Sequence, residues 1–263
     1  MDHGPWTRDQ ILFSPLSIVH CPFPMRLGTV SYSNVIPLIH GLPCDIFKAP
    51  PSQLAKLSGP DDIIMSPVVT AFLDPDWYLI EGVGIGSFGA VDTVKLFFRN
   101  KRTTIQNIKT IYIDSDSLTS LNLLKILFQN RFERNLNSIR FTSNPKETTE
   151  GALLIGDKVW KENPDQPFLD LGEAWTEWTK LPFVFACWMT KNPTIGKKWK
   201  PFLIETAKSN LQNLEKISQE THLLKYWKKL YYDLGEPQKR AIALFQRYCV
   251  GLTGIPLSEL RWI

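Results

Sequence analysis

The sequence predicts an α/β protein of two lobes. Apolar strands alternate along the chain with short helices, which is the pattern of parallel sheets covered by helices. Two extended stretches, 91–98 and 182–188, are apolar enough to carry the chain from one lobe to the other and back. We therefore expect a first lobe made of two separate pieces, with a second lobe inserted between them. The expected ranges are 1–24 for a leader outside the core, 25–93 and 189–263 for the first lobe, and 94–188 for the second.

The first piece of the first lobe carries three predicted strands and three short helices. Ser33 and Asn34 follow the first strand as helix-cap residues. Pro51 stands near the start of the second helix, where its missing N–H is tolerated. The predicted strands are 27–32, 63–65 and 77–83, and the predicted helices are 35–39, 51–58 and 67–73.

The stretch 81–99 is rich first in glycine and then in β-forming residues. Its glycines are Gly82, Gly84, Gly86 and Gly89. Glycine at this density lets backbone N–H groups approach a ligand closely. We interpret the stretch as a glycine loop on the floor of an anion-accepting cleft, followed by a hinge. An ordinary glycine-rich hairpin is the alternative, because such loops are a weak signal without their structural context.

The rest of the chain continues the alternation of strands and helices and then ends in helices. One amphipathic helix follows residues 114–120 and places Leu121, Leu124, Leu127 and Phe128 on one side. The further predicted strands are 108–113, 138–142, 151–155, 168–171 and 181–189, and the further predicted helices are 201–218, 223–230 and 237–250.

Composition and charge exclude several classes of protein. Hydrophobic residues make up 43% of the chain, which is ample for a packed core, and no run approaches the ~20 apolar residues of a membrane span. The net charge is +4, and the basic excess falls on Lys-rich helical stretches near the C-terminus without a nucleic-acid recognition motif. We therefore expect neither a membrane nor a nucleic acid as a partner.

The cysteines and histidines do not indicate a metal site. The four cysteines match neither a zinc-binding spacing nor a disulfide framework, and the four histidines are scattered. Residues 1–24 lack the basic segment and the small-residue cleavage site of a signal peptide. Reduced thiols without an export signal predict a cytoplasmic protein.

Small polar residues recur where the predicted strands end. Several of them precede helix N-termini, whose free N–H groups and positive dipole end favour anions. Ligands of α/β proteins bind beyond the carboxyl ends of the strands, so these residues predict a cleft site for a small carboxylate. They are Ser33, Asn34, Ser66, Ser87, Ser117, Thr119, Ser120, Gly156 and Asp157.

Seven motifs stand in order along the chain: RLGTVSYSNVIPL (26–38), DIIMSP (62–67), GIGSFGAV (84–91), SLTSLNLL (117–124), ALLIGD (152–157), DLGEAW (170–175) and LPFVFACW (181–188). Together they resemble the chorismate dehydratase family of the futalosine route to menaquinone. The resemblance implies a two-lobed fold like that of type II periplasmic binding proteins. It also implies loss of water from chorismate to give 3-[(1-carboxyvinyl)oxy]benzoate, with no cofactor.

This resemblance also implies roles for particular residues. Asn34 matches the family's catalytic asparagine, and Ser87 matches its active-site serine. The chain departs from the family pattern at Thr93, where a serine is usual, and at Lys180, where a glycine is expected. It also departs at Leu118, where an arginine or a small residue is common, which leaves open which cation, if any, pairs with the substrate carboxylates.

The other expected site residues are assigned to substrate binding. Ser117, Thr119 and Ser120, at a helix N-terminus, suit one carboxylate of chorismate. Ser66 and Ser87, together with loop N–H groups, suit the other carboxylate or the ring. The substrate-binding set is Tyr32, Ser66, Gly86, Gly89, Ser117, Thr119, Ser120, Gly156, Asp157 and Phe183.

Two candidates remain for the general base. Asn34 is excluded, because its neutral amide is barely basic and can only donate to an oxyanion or position the leaving hydroxyl. Asp157 is one candidate, although an aspartate after a strand is commonly a helix N-cap. The other is the substrate's own enolpyruvyl carboxylate, once the cleft has fixed its geometry.

Three alternative functions remain open. A 1,4-dihydroxy-6-naphthoate synthase of the same pathway shares the fold, but we expect a catalytic histidine there, and no motif here contains one. A solute-binding protein for small carboxylates would need an export signal. A transcription-factor effector domain would need a helix-turn-helix before residue 25. We expect a monomer or a homodimer that binds a small molecule.

Overall fold

The computed structural model describes residues 26–114, 118–218, 220–254 and 257–263. The predicted leader, residues 1–24, lies outside these ranges. Strands β1 to β12 cover, in chain order, Arg26–Thr29, Asp45–Lys48, Ile63–Pro67, Tyr78–Ser87, Val94–Phe98, Thr110–Ile113, Arg140–Thr142, Gly151–Ile155, Phe168–Asp170, Phe183–Thr190, Tyr231–Leu234 and Arg261–Trp262.

The helices surround two sheets. Helices α1 to α9 cover Ile36–Ile39, Pro51–Leu57, Val69–Leu73, Leu118–Ile126, Leu171–Thr179, Pro193–Gln212, Leu214–Ile217, Thr221–Trp227 and Glu236–Thr253. Short 3₁₀ turns cover Ser33–Val35, Leu136–Ser138 and Gly156–Lys161, and a π turn over Leu127–Arg131 extends α4. Every helix in the described ranges is too short or too polar to span a membrane.

The two sheets form two α/β lobes, as the sequence predicts. The large sheet has seven strands in the order β11-β4-β10-β3-β1-β2, with β12 beside β4, and the small sheet has five in the order β7-β6-β8-β5-β9. Both sheets are mixed rather than parallel. In the large sheet β10 runs antiparallel between β3 and β4, and in the small sheet β5 runs antiparallel between β8 and β9. The first strand after each crossing, β5 in the small sheet and β10 in the large sheet, therefore runs opposite to both of its neighbours.

The chain crosses between the lobes at residues 88–93 and 180–182, which overlap only the first residues of the two stretches that the sequence singled out. It leaves the large sheet at Ser87 and enters the small one at Val94, and it returns between Thr179 and Phe183. Strand β10 belongs to the large sheet, so residues 183–188 pack with the first lobe although the expected boundary put them in the second. Lys180 caps α5 in the left-handed region at φ 59°, where the family pattern has glycine.

The glycine-rich stretch is a strand and not a loop. Gly82, Gly84 and Gly86 lie inside β4. A Cβ on Gly86 would lie 2.5 Å from the carbonyl oxygen of Phe183, and one on Gly84 would lie 3.0 Å from that of Ala186. These glycines therefore let the backbone of β10 approach β4 closely. The predicted glycine loop is wrong for residues 82–87, which form part of β4, whereas Gly89 lies beyond the end of this strand.

Glu81 on β4 ties two helices to the large sheet. It accepts a hydrogen bond of 2.5 Å from Lys200 of α6 and another from Lys239 of α9. These bonds to Lys200 and Lys239 lower the pKa of Glu81 to about 2. Because the pKa is depressed in the folded state, the stabilisation is fully present above the ordinary glutamate pKa of about 4.3. It is lost as the pH falls from there towards 2.

We expect Glu81→Gln to reduce the free energy of unfolding at pH 7 by no more than ~1–2 kcal/mol, because the side chain is about one third exposed and solvent screens the pair. The difference from wild type should shrink between about pH 4.3 and about pH 3. Urea titrations of both proteins across this range measure it. A difference that stays constant down to about pH 3 would show that the ion pairs do not carry it.

Candidate active site

A cavity of about 70 Å³ lies between the two lobes. The large sheet, the crossing segment 88–93, the start of α4 and the end of β8 all contribute to its wall. A small-molecule pocket typically measures ~300–1,000 Å³, so this cavity is smaller than the usual site for a ligand of that size. The lining residues are Val30, Tyr32, Asn34, Pro51, Pro67, Ile85, Val91, Thr93, Val94, Thr119, Ser120, Ile155, Gly156, Phe185 and Ala186.

The polar part of the wall consists of neutral side chains. Asn34 comes from the first lobe, Thr93 from the crossing segment, and Thr119 with Ser120 from the first turn of α4. Within the described residues, the Asn34 Oδ1 and Thr119 Oγ1 atoms are buried and have no hydrogen-bond partner. Buried polar atoms are nearly always satisfied, so these two point to a ligand that completes them.

The rest of the wall is apolar and can enclose a ring. Val30, Ile85, Val91, Ile155 and Phe185 are among the residues that contribute to it. Over the ranges that the structure covers, no Asp, Glu, Lys, Arg or His side chain lines the cavity. An anionic ligand would therefore be held by hydroxyl, amide and backbone N–H donors and by the N-terminus of α4.

Asn34 is held in a 3₁₀ turn and does not cap a helix. The sequence predicts Ser33 and Asn34 as caps, but neither this turn nor α1 has a side-chain cap bond. The first lobe holds the turn by its carbonyl oxygens instead: Trp227 Nε1 donates to Ser33 O and Tyr232 Oη donates to Asn34 O, both at 3.0 Å. The Asn34 side chain lines the cavity with its Oδ1 atom unpartnered among the described residues, and it also makes a hydrogen bond to the Tyr226 hydroxyl.

Thr93 connects the crossing segment to α8. Its Oγ1 atom lies 2.7 Å from the hydroxyl oxygen of Tyr226, within hydrogen-bond distance. Burial raises the pKa of the Tyr226 phenol well above its usual range, and hydrogen bonds from Thr93 and Asn34 offset only part of this effect. The phenol therefore stays protonated at neutral pH, and it holds Thr93 at the cavity wall.

The structure brings together five of the predicted site residues. Tyr32, Asn34, Thr119, Ser120 and Gly156 all line the cavity. Ser117 lies outside the described residues. Six predicted residues do not line the cavity: Ser66, Gly86, Ser87, Gly89, Asp157 and Phe183.

Ser66, Ser87 and Phe183 face other parts of the protein. Ser66 lies 3.0 Å from the Thr70 hydroxyl, both side chains being buried. The Ser87 hydroxyl is buried without a partner among the described residues, and it would lie 2.5 Å from a Cβ on Gly172 of α5. Phe183 packs in an aromatic cluster, 4.9 Å from the ring of Phe245. Their assigned roles in catalysis or substrate binding therefore stay predictions.

Gly86, Gly89 and Asp157 also have structural roles next to the cavity. Gly86 pairs within the large sheet. Gly89, at φ 99°, turns the crossing segment and donates its N–H to Thr176 Oγ1 at 3.0 Å. The carboxylate of Asp157 accepts hydrogen bonds from Ser33 and is therefore engaged away from the cavity.

Sequence reasoning missed several lining residues. Thr93 was noted as a departure from a family pattern but was not assigned to the site. Phe185 lies in the predicted apolar strand, two residues beyond Phe183, which was assigned to the site. Residues two apart in a strand face the same side of the sheet, so alternation could not show which of the two aromatic residues lines the cavity. Strand β10 has a register shift between Val184 and Ala186, which changes the side of the sheet that its following residues face.

No metal site is visible in the part of the chain that the structure describes. Within it, no three or more His, Cys, Asp or Glu side chains are arranged so that they could hold a metal ion. His40 and His222 do not line the cavity.

Comparison with known proteins places the chain in a family. The family described as menaquinone biosynthesis matches residues 25–250. The chain belongs to this family. It is also 27% identical to the chorismate dehydratase of Thermus thermophilus, over 89% of this chain and 98% of that protein. Both matches confirm the resemblance that the motifs showed.

Solved structures of proteins with low sequence identity to this chain share its fold. A protein of Archaeoglobus fulgidus has a TM-score of 0.64 at 14% identity, covering 88% of this chain and 98% of that one. The periplasmic aliphatic sulphonate binding protein SsuA of Escherichia coli has a TM-score of 0.55 at 15% identity, covering 87% and 85%. These likenesses confirm a two-lobed fold like that of periplasmic binding proteins.

Proposed function

We propose that this chain is an enzyme that removes water from chorismate and releases 3-[(1-carboxyvinyl)oxy]benzoate. Membership of the menaquinone biosynthesis family and the relative in Thermus thermophilus support the pathway and the substrate. The observation that carries the proposal is the cavity between the lobes. Its apolar wall suits a six-membered ring, and its unsatisfied Asn34 and Thr119 oxygens suit the polar groups of chorismate.

The reaction needs the substrate to be polarised and correctly oriented more than it needs a strong acid or base. The C3 proton of chorismate is vinylogous to the ring carboxylate, so its removal leaves an extended enolate. The 4-hydroxyl then leaves as hydroxide, which makes the ring aromatic and supplies the driving force, and the hydroxide takes up the proton removed from C3 to become water. The sum is the loss of one water with no change in oxidation state, so no redox cofactor enters the balance.

Some cavity residues stabilise the negative charge of the substrate, and others assist the departure of the 4-hydroxyl. Thr119 and Ser120, in the first turn of α4, donate to a carboxylate together with the positive end of that helix. The unsatisfied Asn34 Oδ1 accepts the hydrogen bond of the 4-hydroxyl, and its Nδ2 donates to the negative charge that develops as the hydroxyl leaves. The apolar wall excludes water from the enolate.

The base in this proposal is the enolpyruvyl carboxylate of the substrate. Asp157 is the protein alternative, but it does not line the cavity and its oxygens are bonded to Ser33. Of the described residues around the cavity, none carries a carboxylate or an imidazole. An intramolecular carboxylate fixed beside C3 has the high effective concentration that such a transfer needs.

Purified protein should convert chorismate into a compound that is lighter by one water. Mass spectrometry and the absorbance of the new benzoate measure it, with heat-denatured protein as the control. Recovery of unchanged chorismate, with a calorimetric signal for its binding, would contradict the dehydratase and support the solute-binding alternative. A naphthoate synthase would likewise leave chorismate unchanged.

A further inference from the structure

Two 3₁₀ turns join the lobes beside the cavity. Gly156, in the turn of the second lobe, has a φ of 63°, and a Cβ there would lie 2.6 Å from the ring of Tyr32 in the first lobe. A side chain at Gly156 would therefore keep the turns apart. At the other end of the same turn, the ring of Trp160 lies edge-on to that of Tyr226 in α8, with centroids 5.3 Å apart. The lobes thus meet through the turns 33–35 and 156–161.

Asp157 bridges this contact with its carboxylate. The Ser33 hydroxyl donates to Oδ1 at 2.7 Å, and the Ser33 N–H donates to Oδ2 at 3.2 Å. Bonds between a carboxylate and two donors on one residue fix both its backbone and its side chain. Ser33 immediately precedes Asn34, so the bridge ends one residue from the amide that faces the cavity.

The turn that carries Asn34 is held from two sides. Its carbonyl oxygens accept hydrogen bonds from Trp227 and Tyr232, which belong to the same lobe as the turn. Its N–H side is held from the second lobe, and in the described part of the chain the N–H of Ser33 has no acceptor other than Asp157. This second restraint exists only while the lobes are in contact.

We propose that Asp157 is a positioning residue, which orients the Asn34 side chain through Ser33 when the lobes close. The proposal rests on the dehydratase function above. It gives Asp157 a role that the motifs did not suggest, because the motifs made Asp157 a candidate base or substrate ligand. Closure then both encloses the substrate and completes the alignment of Asn34. An open enzyme holds the turn on one side and leaves Asn34 misaligned.

Hydrogen exchange tests the bridge without any substrate. In Asp157→Ala, the amides of residues 30–36 should exchange at least ~10-fold faster than in wild type, because the Ser33 N–H loses its acceptor. Asp165→Ala is the matched control, since Asp165 is an exposed aspartate of the same lobe. Unchanged exchange at 30–36 in Asp157→Ala would overturn the bridge, whatever the enzyme does.

Kinetics then separate positioning from direct catalysis. Asp157→Ala should lower kcat by ~10–100-fold, because small misplacements of a catalytic group have effects of that size. Ser33→Ala, which keeps the N–H bond and loses only the hydroxyl bond, should have a smaller effect of the same kind. Asp165→Ala should turn over chorismate as wild type does.

The decisive comparison uses Asn34→Ala as the background. If Asp157 acts through Asn34, adding Asp157→Ala to Asn34→Ala should lower kcat no further. A multiplicative loss in the double variant would overturn the proposal and make Asp157 act on the substrate itself. Should wild type leave chorismate unchanged, the dehydratase function fails, while the exchange experiment still decides whether Asp157 holds the turn. Melting temperatures of all variants show whether each one is folded.

Discussion

Asn34→Asp should lower the rate of chorismate dehydration by about 10²–10³-fold, which is the usual cost of losing one donor to developing charge. Aspartate is nearly isosteric with asparagine, and it still accepts a hydrogen bond from the 4-hydroxyl. It cannot donate to the departing hydroxide, and it adds a negative charge beside a dianion. The aspartate variant should therefore be slower than Asn34→Ala, which removes the donor without adding charge.

Steady-state rates of the three proteins measure this order. The melting temperature of Asn34→Asp should stay close to that of wild type, because the side chain makes no cap bond. A role for Asn34 in the fold alone predicts equal rates for wild type and variant. Turnover by Asn34→Asp at close to the wild-type rate would therefore show that the catalytic assignment is wrong.

Asp170→Ala should have the largest effect on stability, a loss of ~3–5 kcal/mol in the free energy of unfolding. The carboxylate is 2% exposed and accepts four backbone N–H bonds of 2.8 to 3.1 Å, which it distributes between the crossing segment and the start of α5. Burial raises the pKa of Asp170, and the N–H groups offset part of that effect. Alanine would leave four backbone donors without an acceptor.

Urea titration of Asp170→Ala and Asp170→Asn measures this effect. The asparagine variant should lose less, because one oxygen acceptor remains. Asp165→Ala, an exposed aspartate change in the same lobe, should stay within ~0.5 kcal/mol of wild type. If Asp170→Ala were no less stable than Asp170→Asn, the carboxylate would not be what holds the crossing segment to α5.

The fold could be predicted where local pattern decides it. The apolar run 151–155 was predicted as a strand and is β8. Helix α6 begins at Pro193 and not at Pro201, because Asn192 caps it with two side-chain bonds and Pro201 is tolerated inside. Helix α5 was missed although Asp170 and Glu173 have the spacing of a helix start.

Other elements depend on distant partners and could not be predicted. Strands β2, β11 and β12 were not predicted, since short edge strands are defined by the strand they join. The glycines of β4 were assigned to a loop because glycine favours turns. The reason for Gly84 and Gly86 is the backbone of β10, which lies about 100 residues away along the chain, whereas Gly82 makes room for the Ile204 side chain of α6.

The site was predictable in position and less so in detail. Strand ends converge on one cleft, so Asn34, Thr119 and Gly156 were found from their place in the chain. Which side chain enters the cavity depends on the side of the sheet that each strand residue faces, and Ser66 and Ser87 are not among the lining residues. The contact between Asp157 and Ser33 joins residues 124 positions apart, and no local pattern encodes it.

The neutral wall of the cavity has a consequence for the proton affinity of the bound substrate. A lysine or arginine beside a carboxylate lowers its pKa by about 1–3 units, which weakens it as a base. The lining that the structure describes has no such cation, and the two carboxylates of chorismate repel each other in a medium that screens poorly. Both effects keep the enolpyruvyl carboxylate basic. Under the proposed function, a wall without cations would bind the dianion less tightly but would leave that carboxylate able to take the C3 proton.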